Sequence, residues 1–186
     1  MPGSVFTREV TDEVLGWLGL NRASRHSSGG EFEVNPVVGV RHQGVERVVA
    51  ELRGERFHAY HPPTVSTPLG YVMPGARYRA WMVSVEDPDA SVDDLILAVR
   101  EYAMPFIESG SSLRVLCELM GDGLGLEHQL VYRRPVAWAL AGDRDRAAGL
   151  VDAAETDLGD RNDAAAVELR AFVAAFRSRF PLSSSG

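Results

Sequence analysis

The residues of this sequence most suited to chemistry lie between positions 57 and 78. His58 and His61 form an H-x-x-H pattern just before Pro62 and Pro63. Histidine can accept or donate a proton near neutral pH, so either could act as a general acid or base. A metal site normally has a third ligand, and a proline-rich loop fixes little of the geometry between two histidines. We therefore predict no metal and no cofactor, and we keep both histidines as catalytic candidates of an alternative interpretation.

Aromatic side chains and an arginine follow these histidines. They could line an apolar cleft between the loop of residues 57–63 and a predicted hairpin of residues 66–85, where the arginine would bind an anionic group. Aromatic residues that pack in a core would give the same pattern. A small-molecule-binding protein or a small enzyme is therefore the alternative interpretation. Its pocket candidates are Tyr60, Tyr71, Tyr78, Arg79 and Trp81.

Several catalytic classes are excluded by what the sequence lacks. Lysine and arginine together number 19, and all of them are arginine. A chain without lysine cannot form a Schiff base with pyridoxal phosphate and has no Walker A lysine. The sequence also contains no G-x-S-x-G motif for a serine nucleophile. The single cysteine, Cys117, lies in an apolar helical pattern, which favours packing over nucleophilic catalysis.

The charge of the chain favours a protein partner over a nucleic acid. Its 26 acidic and 19 basic residues give a formal net charge of −7, which opposes binding to phosphate backbones. Acidic residues are dense in the helical region of residues 143–163. We predict a non-catalytic protein-interaction module, immunity-like or adaptor-like, that binds a basic partner through this acidic face. Its partner-binding candidates are Asp152, Glu155 and Asp157.

The elements that must position these residues follow from hydrophobic spacing. Phe6, Val10, Val14, Trp17 and Leu18 recur at helical spacing, which predicts an N-terminal amphipathic helix. Short strands are predicted at residues 20–25, 31–40, 66–73 and 77–85, and the last two are joined at the Pro74-Gly75 turn. Pro36 predicts that its strand lies at an edge or carries a bulge. These strands form two hairpins, so we predict an α+β fold with a small antiparallel sheet of about four strands.

Helices dominate the rest of the chain. Helical stripes predict a helix within residues 43–53 and a C-terminal helical subdomain after residue 88. We divide the chain into an α+β sheet region (1–88), a helical region packed on it as one domain (89–181) and a disordered tail (182–186). No run approaches the roughly 18 apolar residues of a membrane span, and the first residues lack the layout of a signal peptide. We expect no membrane association and a cytoplasmic location.

Two resemblances concern whole segments. The segment AWALAGDRDRAAGLVDAAE, residues 137–155, resembles one tetratricopeptide-type helical hairpin, with Trp138 at an aromatic packing position and Gly142-Asp143 at the turn. Arg134 and Pro135 depart from that pattern. The segments EVNPVVGVRHQGVERVVAEL and STPLGYVMPGARYRAW resemble uncharacterised actinobacterial proteins. That resemblance implies a bacterial cytosolic origin and no particular activity.

Overall fold

Five antiparallel strands form one sheet in the N-terminal half of the chain. The computed structural model describes residues 4–22, 30–84, 86 and 88–181. Strands come first and helices follow, so the predicted α+β class is confirmed. The predicted tail at 182–186 lies outside the described residues. The strands are β1 (Ser4–Thr11), β2 (Val14–Arg22), β3 (Glu31–His42), β4 (Val65–Pro68) and β5 (Trp81–Ser84).

The N-terminal hairpin corrects the prediction of an N-terminal helix. Strands β1 and β2 pair antiparallel, with Phe6 opposite Leu18 and Arg8 opposite Gly16. The apolar residues that suggested a helix are mostly four positions apart, and residues four apart also share one face of a strand. Gly16 lies close to the helix Met104–Gly110, since a Cβ atom at Gly16 would be 2.8 Å from the Cγ2 atom of Ile107.

Strand β3 is the centre of the sheet. Its residues 34–42 pair with β2, and its other edge pairs with β4 at residues 37–40 and with β5 at residues 31–34. The predicted hairpin between residues 66–73 and 77–85 is therefore wrong, because β4 and β5 lie end to end along β3 and a short 3₁₀ helix, Leu69–Val72, follows β4. The edge position predicted from Pro36 is also wrong. Pro36 lies where the second edge of β3 passes from β5 to β4, which tolerates its missing N–H.

Seven helices in the described residues complete the fold. A π-helical turn, Val99–Ala103, joins the helix Asp89–Ala98 to the helix Met104–Gly110 just before Pro105. None of the described helices has the length and apolar character needed to cross a membrane. The helices are α1 (Gln43–Arg53), α2 (Asp89–Ala98), α3 (Met104–Gly110), α4 (Leu113–Gly121), α5 (Glu127–Leu140), α6 (Arg144–Leu158) and α7 (Ala164–Arg179).

The core joins the sheet to the helical half. Val38 and Val40 of β3 are fully buried, and α3 packs so close to them that a Cβ atom on Gly110 would be 2.8 Å from Val40. Helix α1 contacts both α5 and α7. Trp138 of α5 and Phe172 of α7 are among the largest fully buried side chains. Helix α5 therefore lies in the middle of the molecule, with neighbours on several faces.

Candidate functional site: an arginine-lined cleft and a groove among the C-terminal helices

Three charged side chains meet in the interior where β3, α1 and α5 come together. Arg41 is 1% exposed, Glu46 7% and Arg133 2%. The Nε and Nη2 atoms of Arg133 lie 2.8 Å and 3.0 Å from the two carboxylate oxygens of Glu46. The Nη1 atom of Arg41 lies 3.5 Å from the same carboxylate. Two guanidinium groups therefore share one carboxylate in the interior, and we call this trio the arginine centre.

Backbone and hydroxyl groups complete the arginine centre. The Thr64 hydroxyl donates a hydrogen bond to Glu46 at 2.8 Å, and the carbonyl oxygen of Thr64 accepts one from Arg133 at 3.3 Å. Arg41 donates to the carbonyl oxygens of His58, Ala59 and Pro62. The loop before β4 is therefore wrapped around the Arg41 side chain.

Burial has a cost at these arginines. Loss of water lowers the pKa of Arg41, and the Glu46 carboxylate opposes that change. Burial likewise lowers the pKa of Arg133, and Glu46 again opposes the change. Both directions follow from moving a cation out of water. One carboxylate cannot neutralise two guanidinium groups, and the loop carbonyls that accept hydrogen bonds from Arg41 supply only part of the remaining compensation.

A small cleft opens beside the arginine centre. Its volume is about 100 Å³. Both predicted histidines, His58 and His61, are exposed and line it, so the structure brings them together beside Arg41 and Arg133. Among the described residues, no group of three or more histidine, cysteine or carboxylate side chains could hold a metal ion. The walls of this arginine-lined cleft come from α1, the 57–62 loop and α5, and not from the predicted strands of residues 66–85.

Three of the five pocket candidates, Tyr78, Arg79 and Trp81, lie elsewhere, around β5 and α2. The Tyr78 hydroxyl donates to Glu33 at 2.7 Å, and this bond is the main cause that raises the pKa of Tyr78. Arg79 and the Trp81 indole N–H both donate to Asp94 of α2, each at 2.6 Å. Asp94 therefore ties α2 to β5 and to the residues just before it.

The two remaining tyrosines are exposed. Tyr60 is 59% exposed and Tyr71 49%. None of the five pocket candidates lines the arginine-lined cleft or the groove described next; this holds for these two tyrosines and for Tyr78, Arg79 and Trp81. Within the described residues, the structure therefore separates the five pocket candidates from the two histidines.

A larger groove lies among the C-terminal helices. It has a volume of about 820 Å³ and is bounded by the loop after α4 and by α5, α6 and α7. Gly123 and Gly125 of that loop have φ angles of 82° and 128°, which favour glycine. The glycine-rich segment GDGLG thus forms one wall. Apolar side chains form the floor, namely Met120, Leu130, Val131, Leu150, Leu158 and Leu169.

Charged side chains rim this groove. Arg161 donates to Asp163 at 2.9 Å. Glu127 and Asp157 form no ion pair with the residues that the structure describes, and both line the groove. The Nε atom of Arg134 is buried beside them without a hydrogen-bond partner among those residues. The groove therefore offers an apolar floor, two unpaired carboxylates and one unpaired N–H donor.

The predicted acidic face falls into two parts. Arg177 of α7 donates to Asp152 at 2.7 Å and to Glu155 at 2.8 Å. These hydrogen bonds raise the pKa of Arg177. Two of the three partner-binding candidates thus share one arginine of their own chain, which offsets only part of their charge. Asp157, the third, lines the groove.

The arginine centre was not predicted from the sequence, although the position of Glu46 on a helix with buried residues indicated that it is buried. Glu46 precedes the buried residues Val49 and Ala50 by three and four positions, so it lies on their face of α1. Nothing local indicates that Arg133, 87 positions away along the chain, is its partner. The arrangement can hold the 57–62 loop in place and attract anions to the cleft beside it.

Comparisons with protein families, with curated proteins and with solved structures found no match.

Proposed function

We propose that this chain is a non-catalytic protein-interaction module. It binds an extended or helical segment of a partner protein in the groove between the loop after α4 and helices α5, α6 and α7. The segment would carry apolar side chains and at least one basic side chain. The observation that supports this most directly is the pairing of an apolar floor with two unpaired carboxylates, Glu127 and Asp157, in a groove of about 820 Å³.

The size and lining of the groove fit this occupant. Ligand sites commonly occupy about 300–1,000 Å³, with mostly apolar walls and few polar groups. Apolar partner side chains would cover the floor formed in part by Leu130, Leu150 and Leu158. Burial of apolar area contributes roughly 25 cal/mol per Å² before the costs of association. The floor therefore supplies affinity, and the charged rim supplies selectivity.

The rim favours a basic segment with an exposed carbonyl. A partner arginine or lysine could pair with Asp157 or Glu127, whereas Asp152 and Glu155 are already bonded to Arg177. The buried Nε atom of Arg134 lacks an acceptor among the described residues, and a partner carbonyl oxygen would supply one. Satisfying a buried donor removes a penalty of about 1–3 kcal/mol.

A selection experiment tests this proposal without knowledge of the natural partner. Short random peptides displayed on phage are selected on the wild-type protein, and the affinities of enriched peptides are measured by fluorescence anisotropy. We expect enriched peptides to combine apolar with basic residues. The double variant Glu127→Gln/Asp157→Asn should bind them about three- to tenfold more weakly, because each exposed charge pair contributes about 0.2–1 kcal/mol.

Matched variants separate the groove from the rest of the surface. Ala153 is exposed and lines the groove, so Ala153→Trp should block binding. Ala174→Trp, at an exposed position of α7 outside the groove, should leave affinity within about twofold. Peptides with no basic preference, or equal loss in both tryptophan variants, would contradict the proposal. A dimer that Ala153→Trp abolishes would show that the occupant is a second copy of the chain instead.

A further inference from the structure

We propose that the arginine-lined cleft is a binding site for one tetrahedral oxyanion, either free phosphate or the phosphoryl end of a small molecule. The site lies between α1, the 57–62 loop and α5. Arg41 and Arg133 supply buried positive charge at its base, and Arg56 supplies an exposed guanidinium at its rim. This inference does not depend on the partner groove, because the two sites use different residues of α5.

The local charge is opposite to that of the whole protein. The chain carries a formal net charge of −7. Of the charged groups in the cleft, Arg53 is already paired with Glu55 at 2.8 Å and with Glu168. Among the described residues Arg56 forms no ion pair. The charged residues that line the cleft are Arg41, Arg53, Arg56, Arg133, Glu46 and Glu55.

The arginine centre retains uncompensated positive charge. Arg41 and Arg133 share the single carboxylate of Glu46, and both guanidinium groups are almost fully buried. A charge removed from water is costly unless an opposite charge accompanies it. An anion in the adjoining cleft would supply that charge at short range. The cleft thus offers an electrostatic gain that a site on the open surface, screened by salt, would not.

Donor geometry favours an oxyanion over a halide. A guanidinium group has five N–H donors in a planar fork that matches phosphate and carboxylate oxygens. Glu46 and Thr64 contact Nε, Nη1 and Nη2 of Arg133, which leaves two N–H groups that the described residues do not occupy. The side chains of His58 and His61 at the rim add further nitrogen atoms.

The volume limits the ligand to one small group. A space of about 100 Å³ holds roughly three water molecules at about 30 Å³ each. Sites for whole drug-sized ligands are several times larger. A single phosphoryl group fits this space, and the rest of any phosphorylated molecule would extend past Arg56 into solvent. A nucleotide base would therefore find no pocket in this cleft.

Calorimetric titration tests the proposal. Sodium phosphate and phenyl phosphate are titrated into the protein separately, at an ionic strength held constant with sodium chloride. We expect saturable binding of one phosphate per chain. Tighter binding of phenyl phosphate would identify the phosphoryl end of an organic molecule as the ligand, and equal or weaker binding would identify free phosphate. Arg56→Gln should weaken either ligand at least about tenfold, since it removes a charge-assisted fork.

Two control variants make the result specific. Arg114→Gln removes an arginine of α4 whose side chain is 76% exposed, and it should change phosphate affinity less than about twofold. Ala153→Trp, which fills the partner groove, should leave phosphate binding unchanged. Heat signals that do not saturate, or equal losses in Arg56→Gln and Arg114→Gln, would overturn the proposal. Phosphate binding that survives Ala153→Trp while peptide binding is lost would keep the two sites separate.

Discussion

Replacement of Glu46 by glutamine is the sharpest test of the arginine centre. Glutamine has almost the same shape as glutamate, so packing is retained while the negative charge is lost. The change leaves Arg41 and Arg133, which are 1% and 2% exposed, without a carboxylate partner. In either orientation of the amide, its NH₂ group would also face an N–H donor of Arg133. We therefore expect a large loss of stability despite the conservative shape.

The contacts of Glu46 set the expected magnitude. Its carboxylate lies 2.8 Å and 3.0 Å from Arg133 nitrogens and 3.5 Å from Arg41, and it accepts a hydrogen bond from Thr64 at 2.8 Å. Removing one partner of a buried ion pair costs about 3–5 kcal/mol, because the remaining charge is left uncompensated. The free energy of unfolding of a domain is about 5–15 kcal/mol in total, so the variant should still fold.

Urea unfolding followed by circular dichroism measures this loss. With a slope near 2 kcal/mol per molar urea, a loss of about 4 kcal/mol lowers the midpoint by about 2 M. Glu118→Gln is the control, because Glu118 lies on an exposed turn of α4, 3.8 Å from Arg114. It should cost less than about 1 kcal/mol. A loss below about 1 kcal/mol for Glu46→Gln would refute the view that its charge compensates the buried arginines.

Three other predictions follow from packing and burial. Gly39→Ala should lower the free energy of unfolding in urea by about 1–3 kcal/mol, because the added Cβ atom would lie 2.7 Å from the carbonyl oxygen of Val65. Gly149→Ala on α6 should raise it by up to about 1 kcal/mol, because an added Cβ atom there would have no atom within 4 Å. Burial raises the pKa of the Cys117 thiol to about 11 from an ordinary value of 9.0, so the folded state favours the protonated form. The free energy of unfolding should therefore fall as pH rises from about 9 to 11, and the Cys117→Ala variant should lack that part of the slope. Arg133→Met should lower the free energy of unfolding in urea by about 3–5 kcal/mol, and Arg134→Met by less than about 1 kcal/mol. Equal losses of stability in the two variants would contradict the different roles of these arginines.

The N-terminal hairpin shows why one element type was misread. Phe6, Val10, Val14 and Leu18 are each four positions apart. That spacing fits a helix of 3.6 residues per turn and also a strand, in which every second residue shares a face. The glycines at positions 16 and 19 could have decided between the two, because glycine is unfavourable within a helix. The class of fold was still predictable, since the later helices are long and strongly periodic.

The pairing of the short strands could not be read from local sequence. Strands β4 and β5 were predicted as neighbours because Pro74-Gly75 is a favoured turn pair between two apolar runs. Each has only four residues in the structure and pairs instead with a different half of β3. Strand pairing depends on which edge the long central strand leaves open, and that is a property of the whole sheet.

Some features of the two sites could be predicted from residue types along the chain, and others depend on partners that are distant in the sequence. The histidines of the cleft and Asp157 of the groove were visible as chemically suited residues, and the structure shows what surrounds each of them. The charge of Asp152 and Glu155 was visible too, but their pairing with Arg177 was not, because that residue comes from another helix. Counting charges along the chain therefore overestimates how much of an acidic face is free to bind.

Neighbouring arginines on α5 show how one helix supports both proposed sites. Arg133 turns towards Glu46 and the cleft, and Arg134, the next residue, lines the groove. Successive residues of a helix point about 100° apart, so a helix with neighbours on several faces can place adjacent side chains in different environments. The first arginine shares the carboxylate of Glu46 with Arg41, and the second has a buried donor atom without an acceptor among the described residues. In our proposals, Arg133 therefore stabilises the interior through Glu46 and offers its remaining N–H groups to an anion, whereas Arg134 offers its Nε–H group to the partner segment.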